Sequence, residues 1–172
     1  MPSERADLFE VVIPESWESS KDEHSDSPDF TAWRIGDVFP RARFRLNHFP
    51  GGKSVRRSAG GDRIVYATSL EEQLDYALEG YAYLGDSAKV VVLPEREIGG
   101  ERAVGFRIRF IRGKYLWLRE EWYVVRHDGI WDFTLESGAS RDVIGQDAYA
   151  ILDSFRWVGP PPPSPSAEES EE

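Results

Sequence analysis

The sequence predicts a single α+β domain, with an antiparallel sheet that ends in a β-meander and with two main helices. Two segments, 69–84 and 140–157, repeat apolar residues at helical spacing. A third, 104–136, alternates apolar and polar residues through two turn signals, which is typical of three consecutive antiparallel strands. With 172 residues and 40% hydrophobic content, the chain is long enough to bury one core, which we expect to span 8–158.

The first helix, predicted over 69–84, has a start signal and a stop signal. Ser69 stands three residues before Glu72, which is the spacing of a capping box, where the serine oxygen accepts a backbone N–H bond. Gly85 ends the periodic run. The apolar stripe consists of Leu70, Leu74, Ala77, Leu78 and Tyr81.

The second helix, predicted over 140–157, begins with Ser140 as its N-cap and has Asp142 in its first turn, where a negative charge is favourable. Pro160 prevents much continuation because proline cannot sit inside a helix. The apolar stripe consists of Ile144, Ala148, Ile151, Leu152 and Phe155.

The remaining segments predict strands and irregular structure. Residues 8–13 are short and apolar, 42–49 alternate, and 89–93, where four apolar residues follow Lys89, form a run typical of a buried strand. The Ser-rich and acidic stretch 19–29 predicts a loop or a mobile segment. We expect residues 1–7 to be flexible and the proline-rich acidic tail 159–172 to be disordered.

The meander predicts two sheet faces once its loops are assigned. We assume a three-residue loop at 112–114 and a two-residue loop at Asp128–Gly129. The face that packs on the helices then comprises Phe106, Ile108, Phe110, Leu116, Leu118, Trp122, Val124, Trp131, Phe133 and Leu135, with Glu120 as its one misfit. The opposite face comprises Arg107, Arg109, Tyr115, Trp117, Arg119, Glu121, Tyr123, Val125, Asp132 and Thr134.

This second face is a candidate partner-binding surface, because Trp, Tyr and Arg side chains dominate the binding energy of protein interfaces. The candidate partner-binding residues are Arg107, Arg109, Tyr115, Trp117, Arg119, Glu121, Tyr123 and Asp132. Two plainer interpretations stay open: its charges pair across strands on a solvated face, or the N-terminal segment covers it.

Charge is unevenly distributed along the chain. The net charge is −10, yet residues 41–63 contain seven basic side chains against Asp62 alone. We expect this basic stretch to attract an acidic surface, such as residues 1–30 of the chain itself, and not nucleic acid, because the total charge opposes phosphate binding. The candidate anion-binding residues are Arg43, Arg45, Lys53, Arg56 and Arg57.

The residue types that several kinds of chemistry need are missing or badly spaced. The chain has no Cys, which excludes disulfides, thiol nucleophiles and Cys-ligated metals. The Gly-Lys-Ser motif at 52–54 is not a phosphate loop, because Asn47 stands where the first glycine is needed. The three histidines show neither ligand spacing nor a catalytic arrangement. We therefore expect no catalytic residue, no metal and no cofactor.

No apolar stretch is long enough for a transmembrane helix, and Met1–Glu10 carries four charged side chains without the apolar run of a secretory signal. We expect a cytoplasmic protein that does not insert into membranes. A chain from which a signal had been removed would read the same way.

Three local motifs carry a family resemblance: FEVVIPESW at 9–17, IGGERA at 98–103 and YAILDSFR at 149–156. They resemble the PsbP-like superfamily, which includes LpqN-type proteins, DcrB and the Eag chaperones, over residues 8–158. The resemblance implies an α/β/α sandwich. It also implies a protein partner and no shared catalytic residues, since characterised members act by binding other macromolecules.

Three functions remain open at this point. The first is a non-enzymatic, chaperone-like protein-binding module that uses the exposed Arg and aromatic face. The second is an enzyme that acts on a phosphorylated small molecule through the basic stretch 41–63, and the third is a purely structural accessory domain. The oligomeric state is left open.

Overall fold

The computed structural model describes residues 8–22, 29–38, 41–56, 63–66, 69–138 and 142–159. These ranges form a mixed α+β fold, which confirms the predicted class. The helices are α1 (Leu70–Tyr81) and α2 (Gln146–Asp153). The strands are β1 (Phe9–Glu10), β2 (Trp17–Asp22), β3 (Asp29–Arg34), β4 (Ala42–Phe49), β5 (Lys53–Arg56), β6 (Arg63–Tyr66), β7 (Ala88–Val92), β8 (Arg96–Ile98), β9 (Glu101–Arg112), β10 (Tyr115–Arg126), β11 (Gly129–Ser137) and β12 (Arg156–Trp157).

The main sheet contains eight of these strands in the order β2-β3-β4-β11-β10-β9-β7, with β8 paired to β9. Every neighbouring pair is antiparallel. The predicted meander is confirmed as β9, β10 and β11, and the predicted bounds of β4 are correct. Two small antiparallel pairs, β1 with β12 and β5 with β6, lie outside the main sheet.

One face of the sheet packs against α2 and the β1/β12 pair. This α2 face holds the larger core, where Phe133 and Phe155 meet edge to face at 4.8 Å. Trp131 and Trp157 meet in the same way at 4.9 Å. The helix contributes Ala148, Ile151 and Leu152 to this core.

The other face of the sheet packs against α1. This α1 face holds a second, smaller core, in which Phe106 and Ile108 of β9 are fully buried. Tyr81 closes the helix end of this core, with its ring 5.6 Å from that of Phe106. The sheet therefore lies between two helical layers, and its strands alternate side chains between two cores.

The start of α1 is as predicted and its end is not. Ser69 is the N-cap, and its hydroxyl accepts the Glu72 backbone N–H at 3.2 Å. The helix ends at Tyr81 and not at residue 84, because the chain tightens into a 3₁₀ segment over Ala82–Ser87. Gly85 breaks that segment with φ of +51°.

The second helix is much shorter than the predicted 140–157. It starts at Gln146, with Gly145 as N-cap, and the expected cap Ser140 lies outside the described residues. It ends at Asp153, because the residues that follow enter the core and form β12. Phe155 is buried in the core, and Arg156 pairs with Glu10 of β1.

The predicted loop between β9 and β10 is wrong by one residue. Arg112 pairs with Tyr115, so that Gly113 and Lys114 alone form the turn. Gly113 has φ of +61°, which suits the first position of a type II′ two-residue turn. One residue fewer in the loop moves every β9 side chain to the opposite face. Arg107 and Arg109 therefore face α2, and Phe106, Ile108 and Phe110 face α1.

The predicted loop between β10 and β11 is also wrong, but this error does not change the predicted faces. Arg126 pairs with Gly129, so that the turn is His127–Asp128 and not Asp128–Gly129. This moves the pairing by two residues, which keeps each side chain on its predicted face. Trp122 lies directly opposite Phe133 on the α2 face.

Two further predictions of local structure are wrong. The segment 19–29, predicted to be a loop or a mobile segment, contributes residues 19–22 to β2 and Asp29 to β3, which pair antiparallel at one end of the sheet, while residues 23–28 lie outside the described residues. The run 89–93, predicted to be a buried strand, forms most of β7 at the opposite end. Its valines Val90, Val91 and Val92 are 37%, 47% and 54% exposed.

Within the described ranges, neither helix is long and apolar enough to span a bilayer.

Candidate functional site

The predicted partner-binding residues do not share one exposed face. Arg107 and Arg109 lie on the α2 face, because of the two-residue turn at Gly113. The remaining six, Tyr115, Trp117, Arg119, Glu121, Tyr123 and Asp132, lie on the α1 face. The expected exposure is wrong for Trp117, Glu121 and Tyr123, which are buried on the α1 face.

The α1 face carries a network of buried polar side chains. The Tyr81 hydroxyl donates to Glu121 Oε1 at 2.5 Å, and the Tyr123 hydroxyl donates to Glu121 Oε2 at 2.6 Å. Arg119 donates to the Tyr81 hydroxyl oxygen at 3.2 Å and to Glu136 at 2.8 Å. Both carboxylate oxygens of Glu121 thus have a donor.

Electrostatics on the α1 face favour neutral phenols. Burial, followed by the neighbouring Glu121 charge, raises the pKa of Tyr81 and that of Tyr123 well above the usual range for tyrosine. Burial, followed by the same Glu121 charge, raises the pKa of Asp132. Both phenols therefore keep their protons and act as hydrogen-bond donors, which is a structural role and not that of an activated base or nucleophile.

Glu120, the misfit in the sequence pattern, is satisfied on the α2 face. Its side chain accepts from Arg107 at 3.0 Å, from the Trp122 indole at 3.2 Å and from the Tyr149 hydroxyl at 2.5 Å. Three donors compensate the burial of this carboxylate. Glu120 therefore links the sheet to α2.

The basic stretch is only partly described. Arg43 lies on the α1 face and donates twice to Glu136, at 3.0 and 2.9 Å, so that its guanidinium is already paired. Arg45 lies one pleat along the same face, opposite Thr31 and Thr134. The side chains of Lys53 and Arg56, and all of Arg57, lie outside the described residues.

The histidines and carboxylates of the described ranges do not form a cluster of three or more that suits a metal ion. His48 stacks on Trp131 with ring centroids 4.1 Å apart, and its Nε2 lies 2.7 Å from the Asp128 carbonyl oxygen. Burial lowers the pKa of His48. This histidine is thus a packed, neutral ring at the end of a hairpin.

The feature that sequence reasoning missed is the edge strand β7. Among the described residues it pairs with β9 alone, which leaves its outer edge without a neighbour. The Leu93 N–H donates to the Gly105 carbonyl at 2.9 Å. Because backbone groups alternate direction along an antiparallel strand, the N–H and C=O groups of Val90 and Val92 point outward.

A surface hollow adjoins this edge on the α1 side. It has a volume of about 260 Å³ and is lined by Leu78, Tyr81, Ala82, Gly85, Ala88 and Val90. The lining is mostly apolar and includes two side chains of β7 itself. Three consecutive valines were visible in the sequence, but they fit a central strand as well as an edge strand.

Comparison with solved structures finds a related fold at low sequence identity. LpqN of Mycobacterium tuberculosis, described as involved in cell envelope biogenesis, matches with a TM-score of 0.58 and 11% identity, over 86% of this chain and 82% of LpqN. A protein from Bacteroides thetaiotaomicron VPI-5482 matches with a TM-score of 0.50 and 14% identity, over 88% of this chain and 46% of that protein. No protein-family model and no curated protein matches. The chain therefore has a fold related to that of LpqN.

Proposed function

We propose that the chain is a non-enzymatic, chaperone-like protein-binding module of the PsbP-like superfamily, and that an extended segment of its partner pairs with β7. The superfamily assignment rests on the three sequence motifs together with the LpqN-related fold. A cytoplasmic location stays a prediction.

The observation that carries this proposal is the outer edge of β7. An exposed strand with outward N–H and C=O groups is a template for another strand, and natural proteins usually shorten, charge or cover such edges. Here the edge presents Val90 and Val92 to solvent, with only Lys89 as a charged side chain within β7. Strand addition to such an edge is a common mode of peptide recognition, in which backbone hydrogen bonds supply affinity.

The polar networks support a binding role over catalysis. The carboxylates of Glu120, Glu121 and Glu136 are each held by two or more donors on the sheet faces. Groups committed in this way are poorly placed to exchange protons with a substrate. Arg43, a candidate anion ligand, is held by Glu136.

The test is to block the outward backbone group of Val90. Val90→Pro removes the outward N–H but leaves the hydrogen bonds to β9, while Val90→Thr keeps both the N–H and the branched shape. Wild-type protein and both variants are applied to an immobilised set of short random peptides. We expect peptides retained by the wild type and by Val90→Thr to bind Val90→Pro at least about tenfold more weakly.

Melting curves serve as the control for folding in this experiment. If Val90→Pro melts like Val90→Thr and still retains the same peptides, or if the wild type retains none, strand addition at β7 is wrong.

A further inference from the structure

The two sides of the β7 edge differ in chemistry. The Lys89 and Val91 side chains point to the α2 side, because these residues pair with Arg109 and Arg107. Ala88 and Val90 lie on the α1 side, where both line the apolar hollow. An added strand would place alternate side chains on these two sides, since successive side chains of a strand point in opposite directions.

The α2 side of the edge carries three cationic side chains, Lys89, Arg107 and Arg109, against the two carboxylates of Glu120 and Asp142. No described carboxylate forms an ion pair with Lys89, which is exposed. Arg107 and Arg109 follow on the next strand, with side chains 43% and 47% exposed. Arg107 is held by Glu120, and Arg109 lies 3.1 Å from Asp142. Because both side chains are partly exposed, each guanidinium still presents donors to solvent.

The α1 side of the edge is apolar. The hollow of about 260 Å³ lies beside Ala88 and Val90, within reach of the nearest side chain of an added strand. Its size suits one aliphatic or aromatic side chain, and Val92 extends the apolar surface along the edge. A charged side chain placed there would lose hydration without gaining a partner.

We infer that the partner segment of β7 alternates acidic and aliphatic residues, with the acidic side chains beside Lys89 and the aliphatic ones over the hollow. This inference rests on the proposed function and specifies its ligand. Charge complementarity selects the sequence of the segment, while backbone pairing supplies the strand geometry.

A second copy of the chain fits this edge less well. Antiparallel self-pairing centred on Val90 would place the Lys89 side chains of both copies on the same face, about 7–8 Å apart across the diagonal. Like charges at that separation oppose pairing. An acidic segment replaces this repulsion with attraction.

The probes are three fluorescent peptides of equal length: alternating Glu and Val, alternating Lys and Val, and a block peptide with the Glu–Val composition but without alternation. An alternating pattern reads the same in either strand direction, so that the test does not depend on polarity. Binding is measured by fluorescence anisotropy at low and at physiological salt. We expect the alternating Glu–Val peptide to bind most tightly and to weaken as salt screens the charges.

Variants separate charge selection from strand addition. Lys89→Glu should weaken binding of the Glu–Val peptide about tenfold, because attraction becomes repulsion. Arg156→Glu makes the same charge change at a 76% exposed side chain on β12 and should change affinity less than about twofold. Val90→Pro should weaken binding at least about tenfold.

Each contrary result has a separate meaning. Equal binding of the Lys–Val or block peptide, or equal effects of Lys89→Glu and Arg156→Glu, overturns the inferred ligand even if Val90→Pro shows that strand addition occurs. A dimer of the wild type that Val90→Pro dissociates, seen by sedimentation, assigns the edge to a second copy and also overturns it. If Val90→Pro leaves peptide binding unchanged, the proposed function itself fails.

Discussion

Single residues in this protein explain deviations from the simple sequence pattern. Glu120 is a carboxylate at a core position, and three donors from β9, β10 and α2 hold it there. Gly129 is needed for a different reason, because a Cβ at this position would lie 2.2 Å from the Phe49 carbonyl oxygen. Both residues are determined by contacts with segments distant in sequence.

His48 gives a pH-dependent prediction at the residue scale. Its pKa is lowered in the folded state by burial, so the unfolded chain takes up a proton near pH 6.5 while the folded chain resists protonation. The free energy of unfolding should therefore be greatest above about pH 6.5 and should fall as pH drops towards the folded pKa. His48→Phe keeps a ring against Trp131 but removes the proton site.

The measurement is the melting temperature at about pH 7.5 and about pH 5.5, the range in which histidine titrates. We expect the decrease between the two to be smaller in His48→Phe than in the wild type, while His127→Gln, at an exposed turn position, keeps the wild-type decrease. Equal decreases in all three proteins would show that His48 does not couple protonation to folding.

At the scale of elements, turn lengths and the position of a strand in the sheet decide which of its side chains and backbone groups are buried. The two-residue turn at Gly113 sends the apolar side chains of β9 to α1 and its arginines to α2. The position of β7 at the end of the sheet exposes an apolar strand that would be ordinary in the centre. The same residues in another position in the sheet would have no free backbone groups.

The pairing of β7 predicts that proline destabilises the fold by different amounts at neighbouring positions. Val91→Pro removes an N–H that points to β9 and should cost about 2 kcal/mol or more, because a buried ladder bond is lost. Val90→Pro removes an outward N–H and should cost less than about 1 kcal/mol. Urea unfolding of the two variants measures the difference, and equal costs would mean that the alternation along β7 is reversed.

At the scale of the whole molecule, one sheet joins two cores. Phe106 in the α1 core and Phe133 in the α2 core are both fully buried, and they stand on strands separated by β10 alone. Because each central strand contributes side chains to both faces, the loss of one core leaves half of the sheet surface uncovered. We therefore expect the two cores to unfold together.

A matched pair of substitutions tests this cooperativity. Phe106→Ala and Phe133→Ala should each cost about 3–5 kcal/mol, and each should leave a single transition. Unfolding is followed by tryptophan fluorescence, to which Trp131 and Trp157 beside Phe133 contribute on the α2 face and Trp117 contributes on the α1 face, and by far-ultraviolet circular dichroism. If the two transitions of Phe106→Ala have different midpoints, or if the fluorescence transition has two steps, the cores are independent.

Local features of the fold were predictable from the sequence. The Ser69 cap and the alternation over 42–49 follow from backbone geometry within a few residues, and the structure confirms both. The three strands of the meander follow from the same kind of signal. The spacing of hydrophobic residues reflects the local backbone dihedral angles, and these are largely set by neighbouring residues.

The tertiary structure alone decided which surfaces are buried. A single residue in the turn after Arg112 reversed the faces of β9, and the candidate face of arginines and aromatics was divided between two helices. The edge position of Val90–Val92 was equally invisible, because burial depends on which strand lies alongside and not on the valines themselves. Contacts between residues distant in sequence decide which strands lie side by side. The acidic and aliphatic partner segment inferred for β7 depends on that arrangement.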